Sequence, residues 1–427
     1  MYRLKHIVLF IALIALTACS GQEVQTVSFM TFGDPAERQA YVDLVAAFHE
    51  RHPEIRVEIT HIPADREYRT RLATDFAAGT PPDVTLMNYR RVAAFAANDL
   101  LEPIGPYLEA SDLIQPDDFY AVALESFRWQ GTVMCLPQNI SSLVVYYNED
   151  LFDAAGMPYP PDKWTWDEFV ATAKALTRDL DGDGVVDQYG IGIDPSLYRL
   201  APFVWQNGGP IVDNETVPTR LTLTRPPSLE ALQWFVDLRQ VHGVAPGRVE
   251  EAAQDSESRF IAGTTAMFFD SRRGTPTFRA IERFTWDVAP LPHSKTTAGI
   301  LHSDAYCLSR ATENKESAWT FIEFANSLEG QTIIAGSGRT VPSLIAVAES
   351  DAFLNPDQLP RRSRVWLDTI PTLRQVPVLS TWQEIENTAS AEIERAFYGD
   401  ITAQEAATLS FQRTEEYFFL GKSAVQP

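Results

Sequence analysis

Positive charge, histidine and cysteine are all scarce in this chain of 427 residues. It carries 35 Lys and Arg against 57 Asp and Glu, a formal net charge of −22 at pH 7. That imbalance makes nucleic acid and anionic membrane surfaces poor direct partners, because both repel an acidic body. Seven histidines are scattered without metal-ligand spacing, and the three cysteines show no CxxC pairing, so no zinc site is indicated. GxSxG, HExxH and Walker A motifs are absent, and with them the hydrolase, zinc-protease and P-loop chemistries they carry. Past residue 19 no apolar run approaches the roughly 20 residues of a membrane-spanning helix. Short-period repeats, low-complexity tracts and Pro/Gly/Ser linkers are also missing. The length suits two or three domains, and without a linker these must be joined by several chain crossings.

What is present begins at the N-terminus. Arg3, Lys5 and His6 precede an apolar run from Ile7 to Leu16, closed by Leu16-Thr17-Ala18-Cys19. This is the layout of a secretory signal peptide, and the last four residues resemble the bacterial lipobox. The resemblance implies that residues 1–19 form a lipoprotein signal peptide, with Cys19 lipidated as the mature N-terminus. Residues 20–26 then read as a polar tether to a membrane surface, on the periplasmic or extracytoplasmic face. Acyl chains together give the durable anchoring that one chain does not. Cys135 and Cys307 could pair in an oxidising compartment. Each also lies in an apolar stretch where a free buried thiol is equally natural.

The rest alternates strand and helix. Val27–Phe32 reads as a strand broken by Gly33-Asp34-Pro35. Tyr41, Leu44, Val45 and Phe48 form the stripe of an amphipathic helix. Val57–Ile59, a helix around Tyr68–Ala77 and the strand Asp83–Met87 follow. This order predicts an α/β layer with a largely parallel sheet. The pattern recurs with strands at Leu143–Tyr147, Tyr189–Ile193 and Ala266–Phe269. Thr165-Trp-Asp-Glu168 and Thr402-Ala-Gln-Glu405 are capping boxes that open helices.

Several short segments, in order, resemble the carbohydrate-type extracellular solute-binding proteins of ABC importers, the maltose-binding-protein-like group. They are Phe29-Met-Thr-Phe-Gly33, Ala78-Gly-Thr-Pro-Pro-Asp-Val84, Leu136-Pro137 with Val145-Tyr-Tyr-Asn148, Phe260-Ile-Ala-Gly-Thr-Thr-Ala-Met267 and Gly338-Arg-Thr-Val-Pro342, with Trp382 ahead of a final helix. The resemblance covers essentially the whole chain after the signal peptide. It implies two discontinuous α/β lobes joined by a multi-strand hinge. Lobe one would take residues 22–139 and 293–338, lobe two 140–292 and 339–427. It further implies a sugar in the interlobe cleft, ABC permease transmembrane subunits as partners, a monomer and no required cofactor. Met87 and Ser141 depart from the residues expected there, an aromatic and a carboxylate, which argues against maltodextrin itself.

Ligands of open α/β sheets sit beyond strand C-termini, so candidate groups can be placed by that rule. Asp34 follows the first strand, and Asn88 and Arg90 the third. Asn139 and Ser141 follow Leu136-Pro137. Ser271 and Arg272 follow the strand ending at Phe269. His302 and Asp304 follow Ala298-Gly299. Trp205 and Asn207 form a polar–aromatic cluster before Gly208-Gly209. Arg339 and Trp382 complete the set by the resemblance, which also directs Trp205 and Trp382 to the cleft as stacking platforms. Trp164, Trp166, Trp234, Trp286 and Trp319 read as core. The arginines suit a phosphate or carboxylate, which keeps a phosphorylated polyol or acidic sugar open as ligand. A surface glycoside hydrolase, the rival class, needs two carboxylates at a defined separation, and scattered acids do not supply that. Finally, Asp179, Asp181, Asp183 and Asp187, with Gly184, reproduce the first part of an EF-hand loop. Gly190 stands where the bidentate Glu belongs. The segment is therefore either a structural calcium loop or an acidic turn.

Overall fold

The computed structural model describes residues 24–424, and its first strand, β1, spans Gln25–Phe32. Cys19 and the start of the tether lie outside the described residues. β1 pairs in parallel with β2 (Ile55–Ile62) and with β3 (Val84–Asn88), placing Val27 opposite Val57 and Phe29 opposite both Ile59 and Val84. Between them run α1 (Pro35–Arg51) and α2 (Asp65–Ala77). Helix α1 starts where the chain dictates. Asp34 caps it by accepting the Glu37 N–H at 2.9 Å, and Pro35 stands in the first turn, where its missing N–H costs nothing. Its buried stripe includes Tyr41, Leu44, Val45 and Phe48.

The first sheet has six strands and is mixed rather than largely parallel. Strand Asp304–Ser309 lies between β3 and the short β4 (Leu101–Glu102) and runs antiparallel to both, and to Cys135–Pro137. The physical reason is the return path. Asp304 pairs with Asn88, so this strand enters the sheet at the edge where β3 leaves it. Cys135 and Cys307 face one another in that pairing and form a disulfide, which resolves the two readings of these thiols.

The second sheet has four strands in the order Trp286–Ala289, Val144–Asn148, Thr265–Asp270, Tyr189–Gly192. Only the last pair is parallel. The chain thus passes from one sheet to the other between Pro137 and Val144 and returns between Ala289 and Asp304. These crossings are stitched by short antiparallel bridges, Asn139 to Pro342 and Ser141 to His302. The Thr165 and Thr402 capping boxes both form, each with reciprocal bonds to Glu168 or Glu405. The two long C-terminal helices, Trp382–Phe397 and Ala403–Leu420, pack on each other and on helix Pro226–Gln240. The Trp382–Phe397 helix also reaches α3 (Tyr89–Ala96) beside the first sheet.

Candidate functional site

The C-terminal ends of strands from both sheets, together with the start of the antiparallel strand Asp304–Ser309, converge on a cavity of about 540 Å³. From the first sheet come Phe32, Glu37, Asn88, Arg90, Arg91 and Asp304. From the second come Ser271 and Arg273 after strand Thr265–Asp270, and Asp194 to Arg199 at the start of helix Leu197–Gln206. Asn139, Ser141, His302, Arg339 and Thr340 form the floor on the crossing segments. Helix Trp382–Phe397 closes one side with Glu386, Asn387, Ser390, Ala391 and Glu394.

Local geometry aims these groups. Gly33 takes φ +123°, and a Cβ there would fall 1.5 Å from Glu37 Oε2. Only glycine lets the chain leave β1 so tightly and leave room for that carboxylate. Arg339 Nε lies 2.6 Å from Glu37 Oε2, and its Nη1 donates to Asp34 Oδ2 at 2.5 Å. Burial nevertheless pushes the Glu37 carboxyl up to about 7, with Arg339 opposing it. Asn88 donates to Asp304 Oδ1 at 3.0 Å, and the Asp304 backbone N–H donates to Asn139 Oδ1 at 3.1 Å, so Asn88 orients the Asp304 carboxylate and Asn139 fixes its backbone.

Arg90 is the most heavily engaged cation. Its Nε donates to Asn88 Oδ1 at 3.0 Å, its Nη1 to Glu386 Oε1 at 2.5 Å, and its guanidinium lies 3.8 Å from the Tyr198 ring centroid. Burial works against its charge, but Glu386 and the two tyrosines outweigh that and hold it above the usual arginine range. Arg91 makes a two-pronged contact with Asp65 at 3.1 and 3.3 Å. Arg199 Nη2 donates to Asp270 Oδ1 at 3.0 Å, while its Nη1 is buried without a protein partner. Burial, Arg199, Arg90 and Arg273 hold the His302 imidazolium far below its ordinary range, so this ring is neutral. Its Nε2 is likewise buried and unpartnered. Of the five arginines on the cavity wall, only Arg273 has no carboxylate within ion-pair distance.

Of the expected residues, Asn88, Arg90, Asn139, Ser141, Ser271, His302 and Asp304 from the strand-end rule and Arg339 from the resemblance come together in one cavity. Five expected residues do not line it. Trp205 is 2 % exposed in the last turn of helix Leu197–Gln206, which is apolar on nearly every side, and so it belongs to the core. Trp382 is fully buried at the start of its helix and donates to Glu386 Oε2 at 3.2 Å, from behind the cavity wall. Asn207 donates to Pro227 O at 2.7 Å and Glu230 Oε2 at 3.0 Å, tying down another helix instead. Arg272 points away from its neighbours Ser271 and Arg273. It donates to Gly338 O at 2.7 Å and Ser363 Oγ at 2.9 Å, between the rings of Phe353 and Trp366. Asp34 stands one layer back, as helix cap and partner of Arg339. The residues missed by the rule are Phe32, Glu37, Asp65, Arg91, Asp270, Thr340, the Asp194–Arg199 turn, and Glu386 with Asn387, Ser390, Ala391 and Glu394. The last set recurs at helical spacing on one face, a signal readable in the sequence.

The acidic loop is separate from this cavity. Carboxylate oxygens of Asp179, Asp181 and Asp187 lie within 4.8 Å of one another. Asp183 is not among them and accepts the Val185 N–H at 2.7 Å. Three converging oxygens fit a calcium ion in part, without the usual bidentate ligand.

Two α/β lobes, several crossings and a polar cavity fed by both define a ligand receptor of the hinged-cleft class. Residues 33–332 match the model of the bacterial extracellular solute-binding protein family. The chain belongs to that family. It is 25 % identical over 373 residues to a putative binding protein of Brucella abortus, covering 84 % of this chain and 85 % of that one. A mannitol-binding protein of Pseudomonas aeruginosa is 23 % identical over 424 residues, covering 92 % and 93 %. Among solved structures, an ABC substrate-binding protein from Listeria monocytogenes in complex with cycloalternan superposes with a TM-score of 0.84 at 24 % identity, covering 92 % and 98 %. No helix among the described residues is long and apolar enough to cross a membrane.

Proposed function

We propose that this protein is the substrate-binding receptor of an ABC importer. It captures a sugar or polyol between its lobes and delivers it to the transmembrane permease subunits. The observation that carries this is the cavity itself, where Asp304 and Asn88 from one lobe face Arg199 and Ser271 from the other. A ligand touching both walls binds the closed arrangement better than the open one, and that difference drives closure. The mannitol-binding relative, matched along nearly its whole length, supports the ligand class. A thermal-shift screen over neutral sugars, acidic sugars and polyol phosphates tests the reading. A stabilising hit is expected, and a flat response to all three classes would count against it.

Arg273 makes no direct ion pair, although the Asp270, Glu257, Glu37 and Asp65 carboxylates around it hold its charge; a second reading, in which the ligand bears an acidic or phosphate group, would place that group beside this guanidinium. The protein acts in either case as a binder and not as a glycoside hydrolase; release of product from a glycan panel would overturn that. It works as a monomer and needs no cofactor, with a structural calcium at Asp179, Asp181 and Asp187. Leu-Thr-Ala-Cys19 supports lipid attachment to the cell envelope, and Cys19→Ala should then free the body from the membrane fraction.

A further inference from the structure

We infer that the cleft is built for a single-unit, linear polyhydroxylated ligand of the alditol class, rather than for a ring oligosaccharide. This rests on the receptor reading above and narrows it. A pyranose ring presents a patch of C–H surface that an aromatic face covers well. A chain of several rings needs several such faces. None of the protein's nine tryptophans lines this cavity. The two aromatic rings that do, Phe32 and Tyr198, are each only 8 % exposed. Phe32 packs on Tyr68 with centroids 4.8 Å apart. Tyr198 carries the Arg90 guanidinium at 3.8 Å and the stacked His302 ring at 4.7 Å. Neither offers a platform.

One side of the cavity is bridged as well. Arg90 on α3 reaches Glu386 on helix Trp382–Phe397, and Arg91 reaches Gln383 on the same helix at 3.1 Å. Extra sugar units running out along that side would have to break these contacts. What the wall offers in place of aromatic faces is hydrogen bonding. Asp304 has one oxygen fixed by Asn88 and a second free to accept. Arg199 Nη1 and His302 Nε2 are buried groups without partners, and such groups are costly until an oxygen satisfies them. A linear polyol, with a hydroxyl on each carbon and no flat apolar face, matches this set along its length.

Calorimetric titration of the protein with hexitols and pentitols, their parent aldoses, malto- and cello-trioses, and a hexitol phosphate tests the inference. An alditol is expected to bind at least about ten-fold more tightly than its parent aldose, since each hydroxyl that reaches a charged partner contributes roughly one decade. Asp304→Asn should weaken that binding by about ten- to a hundred-fold, and its unliganded melting temperature should stay close to that of the parent. A hexitol phosphate that matches or exceeds the hexitol keeps the linear class and adds an anionic end beside Arg273. A trisaccharide that binds more tightly than every alditol overturns the inference and leaves the receptor reading intact. No binding by any of these compounds overturns both.

Discussion

Removing the Glu386 carboxylate is the perturbation whose consequences the structure specifies most fully. Glu386 and Arg90 form an ion pair with side chains only 10 % and 15 % exposed, so solvent screens it little. Glu386→Ala leaves Arg90 largely buried without its main counter-charge and takes the acceptor from Trp382 Nε1. Losing one partner of a buried pair costs about 3–5 kcal/mol. Unfolding entropy is near 2.1 cal/mol/K per residue, so roughly 400 residues give about 0.8 kcal/mol/K and a fall in Tm of about 4–6 °C. Glu386→Ala/Arg90→Ala removes both charges and should recover part of that loss, giving a coupling energy of about 0.5–3 kcal/mol in a double-mutant cycle. The pair also joins α3 to the helix opposite, so both single variants should weaken ligand binding. The assay is differential scanning calorimetry of the four proteins in one buffer. Single variants that lose less than about 1 °C and combine additively would show that the contact is a hydrated surface pair and that the reasoning is wrong.

Trp205→Ala should lower stability by about 3–5 kcal/mol, as expected for a buried tryptophan, and leave ligand affinity within a few-fold of the parent; a large affinity loss with an unchanged Tm would return this residue to the cleft. Glu37 has a folded-state value near 7, raised from 4.5, so its stabilising contribution is complete below pH 4.5 and is lost as pH rises through 7. The difference in Tm between Glu37→Gln and the parent should therefore change across that window, and parallel Tm–pH curves would refute the assignment. If Asp179, Asp181 and Asp187 bind calcium, chelator lowers the Tm of the parent and leaves Asp181→Ala unaffected; identical curves with chelator and with excess calcium leave an acidic turn.

Local signals in the chain were the most legible. The strands around Phe29, Ile59 and Tyr146, the stripe of α1 and both capping boxes follow from patterns a few residues long, and each forms where its pattern stands. The mixed character of the sheets was not legible, because the direction of strand Asp304–Ser309 depends on where the chain returns from the other lobe. For the cavity, the rule that ligands sit beyond strand ends reached Asn88, Asp304 and Ser271. It could not reach Glu386 or Ser390, which approach from a helix packed across the opening. Trp205 misled for a related reason. Before Gln206-Asn-Gly-Gly209 it looks like part of a polar loop, yet it closes a helix buried almost all round, where an indole is ordinary core. Arg272 shows the limit at single-residue scale, since its neighbours on both sides face the cavity and only packing decides which way it turns.

A ligand held between the lobes would be read by Asp304 and Asn88 on one side and Arg199 on the other. A crystal structure of the protein with the compound that most raises its Tm tests this most directly. Ligand density is expected in that cavity, with hydroxyl oxygens within hydrogen-bond distance of the Asp304 carboxylate and Arg199 Nη1. Density instead in the smaller cavity of about 360 Å³ between Leu143, Leu291 and Thr369, with the interlobe cleft empty, would contradict it.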